Sequence, residues 1–310
     1  KDGGDNTFVQ WVGDGFIDRA SEDDWDSVDW RLGLDYRASP GHLWYASAAT
    51  GYRSGGFNYM KPTASTDVDT VEPEDLLAFE VGYKGSLWDN RLQLSSALYY
   101  YDYEDLQVLR QDVVNGVPLF TFDNADSAEA YGVEIEAVSQ LTEHLQLGGA
   151  YSYNHAQFET FYSKDANACN LGPLLAGRSQ DPLCTDAQNL RGNTVPLTPD
   201  HKFNLFASLG WQLGKLDMSL TANYMYVGKQ YMSSFNVDEY DLIDAWDRWD
   251  ALYTVSPRGS YWSLTAFVKN INDDREVVFR PRPSTVHHNH TPAVQVTEPR
   301  SYGLRFVYEF

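Results

Sequence analysis

An all-β fold, a transmembrane antiparallel β-barrel with about eleven strands present, is predicted by three features of the 310-residue sequence. Apolar and polar residues alternate with period two through most of its length, the pattern of a strand with one apolar face. The connections between these segments run short, long, short, long. The final segment alternates aromatics with small or polar residues and stops on Phe310.

The first alternating segment, from Trp30 to Ala38, places Leu32, Leu34 and Tyr36 against Arg31, Gly33, Asp35 and Arg37. The pattern returns at Leu92, Leu94, Leu98 and Tyr100, at Tyr131, Val133, Ile135 and Ala137, and at Phe203, Leu205, Ala207, Leu209 and Trp211. It returns again at Leu216, Met218, Leu220, Ala222, Tyr224 and Tyr226. Short turns are expected at 39–42, 89–90, 142–144, 214–215 and 256–259, and long polar loops at about 57–74, 110–127, 159–199, 231–247 and 273–297. The strands are expected to be roughly 10 to 16 residues long, as membrane-spanning β-strands require. In outer-membrane barrels the periplasmic turns are short and the external loops long. With the last strand running inward, an odd count makes the first run inward too, and every short turn falls on the periplasmic side. Tyr302, Leu304, Phe306, Tyr308 and the terminal Phe310 read as the signal for the outer-membrane barrel assembly machinery.

Composition agrees with this class and excludes others. Lys+Arg 23 against Asp+Glu 44 gives a net charge of −21, which argues against a nucleic-acid partner. Hydrophobic content of 43% with 15% aromatic residues excludes a disordered chain. No run approaches the roughly 18 apolar residues of a membrane helix. The opening Lys1-Asp2-Gly3-Gly4-Asp5-Asn6 has no secretion signal, so either a signal has been removed or the natural beginning lies upstream.

Specific segments carry a resemblance. Gly51-Tyr52-Arg53-Ser54-Gly55-Gly56-Phe57-Asn58, Glu72-Pro73-Glu74, Phe79-Glu80-Val81-Gly82-Tyr83-Lys84-Gly85 and Leu98 through Gln107 come in that order. Tyr131 through Glu136, Val195-Pro196-Leu197-Thr198-Pro199, Val268-Lys269-Asn270-Ile271-Asn272 and Pro299 through Gly303 follow. Together they resemble the barrel of TonB-dependent outer-membrane receptors. The resemblance runs from about Trp25 to Phe310 and matches the C-terminal half of a barrel of about 22 strands. Residues 1–24 are then an extracellular loop segment and 25–310 the half barrel, with the plug domain and TonB-box segment absent from this chain. Two open edges in lipid would cost several kcal/mol per unpaired backbone group. The chain is therefore expected to be part of a larger receptor, either truncated or completed by another chain.

The resemblance implies active import with energy supplied through TonB, most often of a ferric siderophore complex. A receptor of the same architecture for carbohydrate, cobalamin or peptide, and a passive porin-like or structural barrel, are the alternatives. Ligand contacts are expected from arginines, which grip carboxylate or catecholate oxygens, and from aromatics that stack on flat rings. The candidates are Arg53, Tyr103, Arg110, Tyr231, Phe235, Tyr240, Trp246, Arg280 and Arg282. Each also has a plainer reading as aromatic girdle or loop packing.

His287, His288 and His290 supply imidazoles for a borderline metal, though neighbours in an extended loop point apart and a solvated loop is the plainer reading. Cys169 and Cys184 are expected to form a disulfide, since the envelope is oxidising and closing a loop of about 15 residues is worth about 3 kcal/mol in the chain-entropy model. The acidic groups Asp18, Glu22, Asp23, Asp24, Asp26, Asp29 and Asp238, Glu239, Asp241, Asp244, Asp247, Asp250 could bind calcium, which could also bridge to lipopolysaccharide phosphates, against the plainer reading of a solvated acidic rim. None of the histidines lies in a nucleophile-elbow or HExxH context, so an enzyme is not expected.

Overall fold

The computed structural model describes residues 6–12, 15–58, 69–114, 117–165, 186–280 and 294–310. Eleven strands form one antiparallel sheet in sequential order. They are β1 (Arg31–Ser39), β2 (His42–Arg53), β3 (Glu74–Leu87), β4 (Leu92–Val114), β5 (Val117–Gln140) and β6 (Leu145–Thr160). Then come β7 (His201–Leu213), β8 (Leu216–Val227), β9 (Trp246–Pro257), β10 (Trp262–Lys269) and β11 (Ser301–Tyr308). The count agrees with the sequence reading, and so does the alternation of short and long connections with one exception.

The five short turns lie between β1 and β2, β3 and β4, β5 and β6, β7 and β8, and β9 and β10. Their chemistry is local. Gly41, Gly214 and Gly259 take φ values of 84°, 60° and 69°, a left-handed backbone that glycine adopts without a Cβ penalty. The turn after β3 reaches the same region with Trp88, Asp89 and Asn90 at φ 52°, 54° and 66°.

The exception is residues 110–127. They do not form a long loop: β4 and β5, 23 and 24 residues long, stay paired from Leu92↔Ser139 up to Val114↔Val117. The strands of the sheet therefore run from 8 to 24 residues, wider than the 10 to 16 expected. Two signals explain the difference. Asn115-Gly116 is a two-residue hairpin composition. The alternation also slips near Asp105, whose φ is 53°: Tyr103 and Ala128 pack inward below it, and Leu106, Val108 and Ala125 pack inward above it. The spacing across the slip is three residues on each strand rather than two, which breaks a period-two pattern without ending the strand.

Small paired segments decorate the long loops. Gly56–Asn58 pairs with Asp69–Val71, Tyr162–Ser163 with Gln188–Asn189, Gln230–Tyr231 with Leu242–Ile243, and Val277–Phe279 with Gln295–Val296. A single helical turn, α1 (Asp238–Asp241), sits in the loop before β9. Near the start, Asn6–Val12 and Gly15–Ser21 form a separate hairpin.

Burial is inverted relative to a water-soluble sheet. Val81, Leu98 and Leu205 of interior strands are 53%, 60% and 51% exposed. Register lines up Leu32, Leu34, Ala48, Phe79, Val81, Leu98, Tyr100, Tyr131 and Val133 on one face. That face is apolar because its solvent is hydrocarbon. The buried apolar cluster lies instead at the external ends of β4 to β6, where Val108, Ala125, Ala128, Phe158, Phe161 and Leu190 meet.

Candidate functional site

Basic charge separates across the sheet, whereas acids such as Asp102, Glu129 and Asp247 also occupy positions of the apolar face towards its external end. The described Lys and Arg side chains of the strands, Arg31, Arg37, Arg53, Lys84, Lys202, Arg248, Lys269 and Arg305, all occupy positions of the face opposite the apolar one. A lipid-facing Arg or Lys at the membrane midplane costs about 2–4 kcal/mol, so only the inner face tolerates them. They share it with Glu74, Glu80, Glu134, Glu136 and Asp250. The inner wall is thus mixed in charge although the chain as a whole is strongly acidic. Asp250 accepts from the Asn270 N–H at 2.8 Å and lies 3.3 Å from the Arg248 Nε, so this acidic candidate belongs to the wall and not to an external rim.

A column of tyrosines climbs the inner wall of β4. The Tyr99 and Tyr101 ring centroids are 4.9 Å apart and those of Tyr101 and Tyr103 are 6.5 Å apart. Tyr99 donates its hydroxyl to Asn154 Oδ1 at 2.8 Å and crosses β5 at Gly132, where a Cβ would sit 2.5 Å from the Tyr99 oxygen. Glycine is required there first by the Tyr153 carbonyl oxygen of the neighbouring strand, which lies closer still, and then by the ring. A groove continues upward from the column, bounded by Leu106, Ala156, Val195 and Thr198.

At the outer end of the wall the resemblance motifs converge. Arg53, at the end of β2, lies 4.0 Å from Glu74 Oε2, and its guanidinium carbon is 5.6 Å from the Phe122 ring centroid. Glu74 Oε2 also accepts from the Gln107 backbone N–H at 2.9 Å. The Gln107 side chain donates to the carbonyls of Ser54 and Glu72 at 2.9 and 3.1 Å. Asn124 bonds both the N–H and the C=O of Glu72, at 2.9 and 3.0 Å, and donates to the Asp105 carbonyl at 2.8 Å. Asn58 does the same to Phe122, at 2.9 Å for each bond. This network ties the loop after β2 onto the tall β4–β5 hairpin.

A second block is stitched from residues 190–198 and 231–243. Asn236, at φ 51°, bonds the N–H and C=O of Thr194 at 2.6 and 3.0 Å. Asn193 donates to the Ser234 carbonyl at 2.9 Å, and the Leu197 N–H to the Tyr231 carbonyl at 2.8 Å. Asp241 is fully buried and accepts from Ser233 Oγ at 2.6 Å and from the Val237 N–H at 3.0 Å. Tyr231 donates to Asp238 Oδ1 at 2.7 Å. That bond, with burial adding to it, holds the phenol above its ordinary pKa. Among the described residues, no three His, Cys, Asp or Glu side chains converge as a metal site would need.

The ligand candidates are thereby distributed. Tyr103 and Phe235 pack against the apolar cluster of the mouth, Arg53 lies between Glu74 and the Phe122 ring, and Tyr231 belongs to the second block. Trp246 opens β9 opposite Val227 and is half-buried. Arg110 is paired in the β4–β5 ladder opposite Thr121, and Tyr240 lies in α1. Arg280 follows Val277–Phe279 and is half-buried. Arg282, His287, His288, His290, Cys169 and Cys184 lie outside the described residues. Sequence reasoning missed Asn58, Glu74, Gln107, Asn124 and Asn236, which do the joining. Asn58, Glu74 and Gln107 were present as polar residues inside the resemblance motifs, whereas Asn124 and Asn236 lie outside them and carried no sequence signal.

A transmembrane β-sheet with an apolar outer face, a charged inner wall and folded loops at one end defines an outer-membrane barrel protein. The family model described as TonB dependent receptor-like, beta-barrel matches residues 2–271, and the chain belongs to that family. It is an outer-membrane protein. Among curated relatives, the "Probable TonB-dependent siderophore receptor PiuA" of Acinetobacter baumannii is 23% identical over 259 residues, 81% of this chain and 30% of the relative. The "Metal-pseudopaline receptor CntO" of Pseudomonas aeruginosa is 26% identical over 268 residues, 84% of this chain and 31% of the relative. Among solved structures, the ferric yersiniabactin uptake receptor FyuA of Yersinia pestis matches with a TM-score of 0.72 and 18% identity, over 95% of this chain and 39% of that one. The chain thus spans about a third of the length of the curated relatives it matches.

Proposed function

We propose that this chain forms part of the wall and external mouth of a receptor that imports a scarce ligand across the outer membrane with energy supplied through TonB. A ferric siderophore complex is the ligand class best supported. The observation that carries this reading is the placement of Arg53, Lys202, Arg248 and Lys269 on the inner wall. Cations on the path offset the acidic charge of the chain, and forked or point-charge contacts suit the oxygen donors of iron chelates. The names of PiuA and FyuA agree with it. The TonB complex, the barrel assembly machinery reading Tyr302 to Phe310, and lipopolysaccharide around the outer face are the partners this reading entails.

A second reading, a receptor for a metal chelate other than iron, is favoured by the 26% identity to CntO over 84% of the chain.

The test is uptake by cells carrying or lacking the whole receptor, using radioactive iron as hydroxamate, catecholate and carboxylate complexes, and nickel or zinc as metallophore complexes. Receptor-dependent uptake of a ferric complex that stops when the proton motive force is collapsed is expected. Uptake confined to the nickel or zinc complexes selects the second reading. Energy-independent passage of small solutes through the purified protein, with no receptor-dependent uptake, overturns both.

A further inference from the structure

We propose that Asn58, Asn124 and Asn236 are positioning residues that assemble the external mouth before any ligand arrives. This rests on the reading of the chain as an import receptor.

Each of the three side chains grips one residue of another segment by both its backbone groups. Asn58 holds Phe122, Asn124 holds Glu72, and Asn236 holds Thr194, with the Oδ1 accepting from the N–H and the Nδ2 donating to the C=O. An amide side chain is the one neutral group of this length that carries a donor and an acceptor on the same carbon, so it can take the place of a neighbouring strand. The N–H and C=O of Phe122 and the N–H of Glu72 would otherwise be open to water or to another strand, while the Glu72 C=O also accepts from Gln107.

All three clamps sit at the external end, and each joins segments far apart in sequence. Asn58 and Asn124 tie the described segments 54–58 and 69–72 to the β4–β5 hairpin as one block. Asn236 makes another of 190–198 and 231–243. The two blocks meet through the apolar cluster, with Val108, Ala125 and Ala128 facing Phe158, Leu190 and Phe235. Tyr231 is carried by the second block, and Phe122, which Arg53 faces, by the first, so the clamps set the spacing of Tyr231 and Phe122 relative to the ladder residues Arg53 and Tyr103.

The test uses the whole receptor in membranes, with Asn→Ala and Asn→Asp variants at the three positions and heat-modifiable gel mobility to report an intact barrel. Hydrogen exchange needs no ligand. The amides of Phe122, Glu72 and Thr194 are expected to exchange at least about tenfold faster in the matching Ala variant. Asp keeps the acceptor but sets a second oxygen against the carbonyl, so protection falls in the order Asn, Asp, Ala. In uptake of the ferric hydroxamate, catecholate and carboxylate complexes, N58A and N236A raise KM about three- to tenfold with the maximal rate unchanged. Unchanged exchange at all three amides, or a fall in maximal rate with KM unchanged, overturns the proposal. Absence of uptake for all three complexes in the parent receptor counts against the import reading alone, because exchange still decides the clamps.

Discussion

The membrane-level wall and the external mouth obey different rules. In the wall most roles follow from parity: outward positions are mainly apolar, the basic residues are all inward, and backbone groups between the two edge strands are paired with the next strand. In the mouth, order comes from a small apolar cluster and from side chains that bond to backbone. A wall residue can be read from its two neighbours, whereas a mouth residue can be read only from a partner such as Phe122 for Asn58, which lies 64 positions away. The contrast can be broken or sharpened by substitution.

The largest effect is expected at Phe158, 1% exposed at the centre of the cluster. Phe158→Ala removes a buried ring and leaves a cavity, costing about 3–5 kcal/mol locally. Hydrogen exchange of 186–198 and 231–243 should rise sharply while the β7–β11 ladder stays protected. Loss of the whole barrel would show instead that mouth and wall fold as one unit.

Next comes the wall. Leu98→Arg places a charge on the lipid face and should cost about 2–4 kcal/mol, read as a drop in stability on urea titration in lipid. Ala97→Arg, one residue away on the inner face, should cost far less. Equal costs would remove the assignment of faces.

Gly132→Ala is expected to cost about 1–3 kcal/mol, because the new Cβ meets both the Tyr99 hydroxyl and the Tyr153 carbonyl. Gly132→Ala combined with Tyr99→Leu removes the ring contact but leaves the Tyr153 carbonyl contact, so most of the loss should persist. Full recovery would place the strain in the ring instead.

The smallest effect is one of pH. The Tyr231 phenol has its folded pKa raised above the usual value of about 10, chiefly by donating to Asp238. The stabilisation is complete below pH 10 and is lost as pH rises from there through the folded value. Exchange in 230–243 should therefore climb above pH 10 in the parent and show no such step in Tyr231→Phe.

The strand count, the five short turns and the lipid face of β1, β7, β8 and β11 were legible because a membrane wall imposes period two on every residue it contains. The β4–β5 hairpin was misread as a loop, since the slip at Asp105 interrupts the alternation and its outer part carries polar residues such as Arg110, Gln111 and Asp112. The ligand candidates were chosen by residue type, and the structure shows that type does not determine place. Tyr103 and Phe235 pack at the cluster, Trp246 is in a ladder, and Arg53 is shared between Glu74 and Phe122.

The sequence by itself determined the all-β class, the membrane topology and the family resemblance, because alternation and turn chemistry are local and act through neighbours one or two positions apart. Only the tertiary structure decided which polar motif residues join which loops, where the buried cluster sits and which face each charge occupies relative to the mouth. Those depend on segments about 40 to 65 positions apart being brought into contact, and no local pattern encodes the partner.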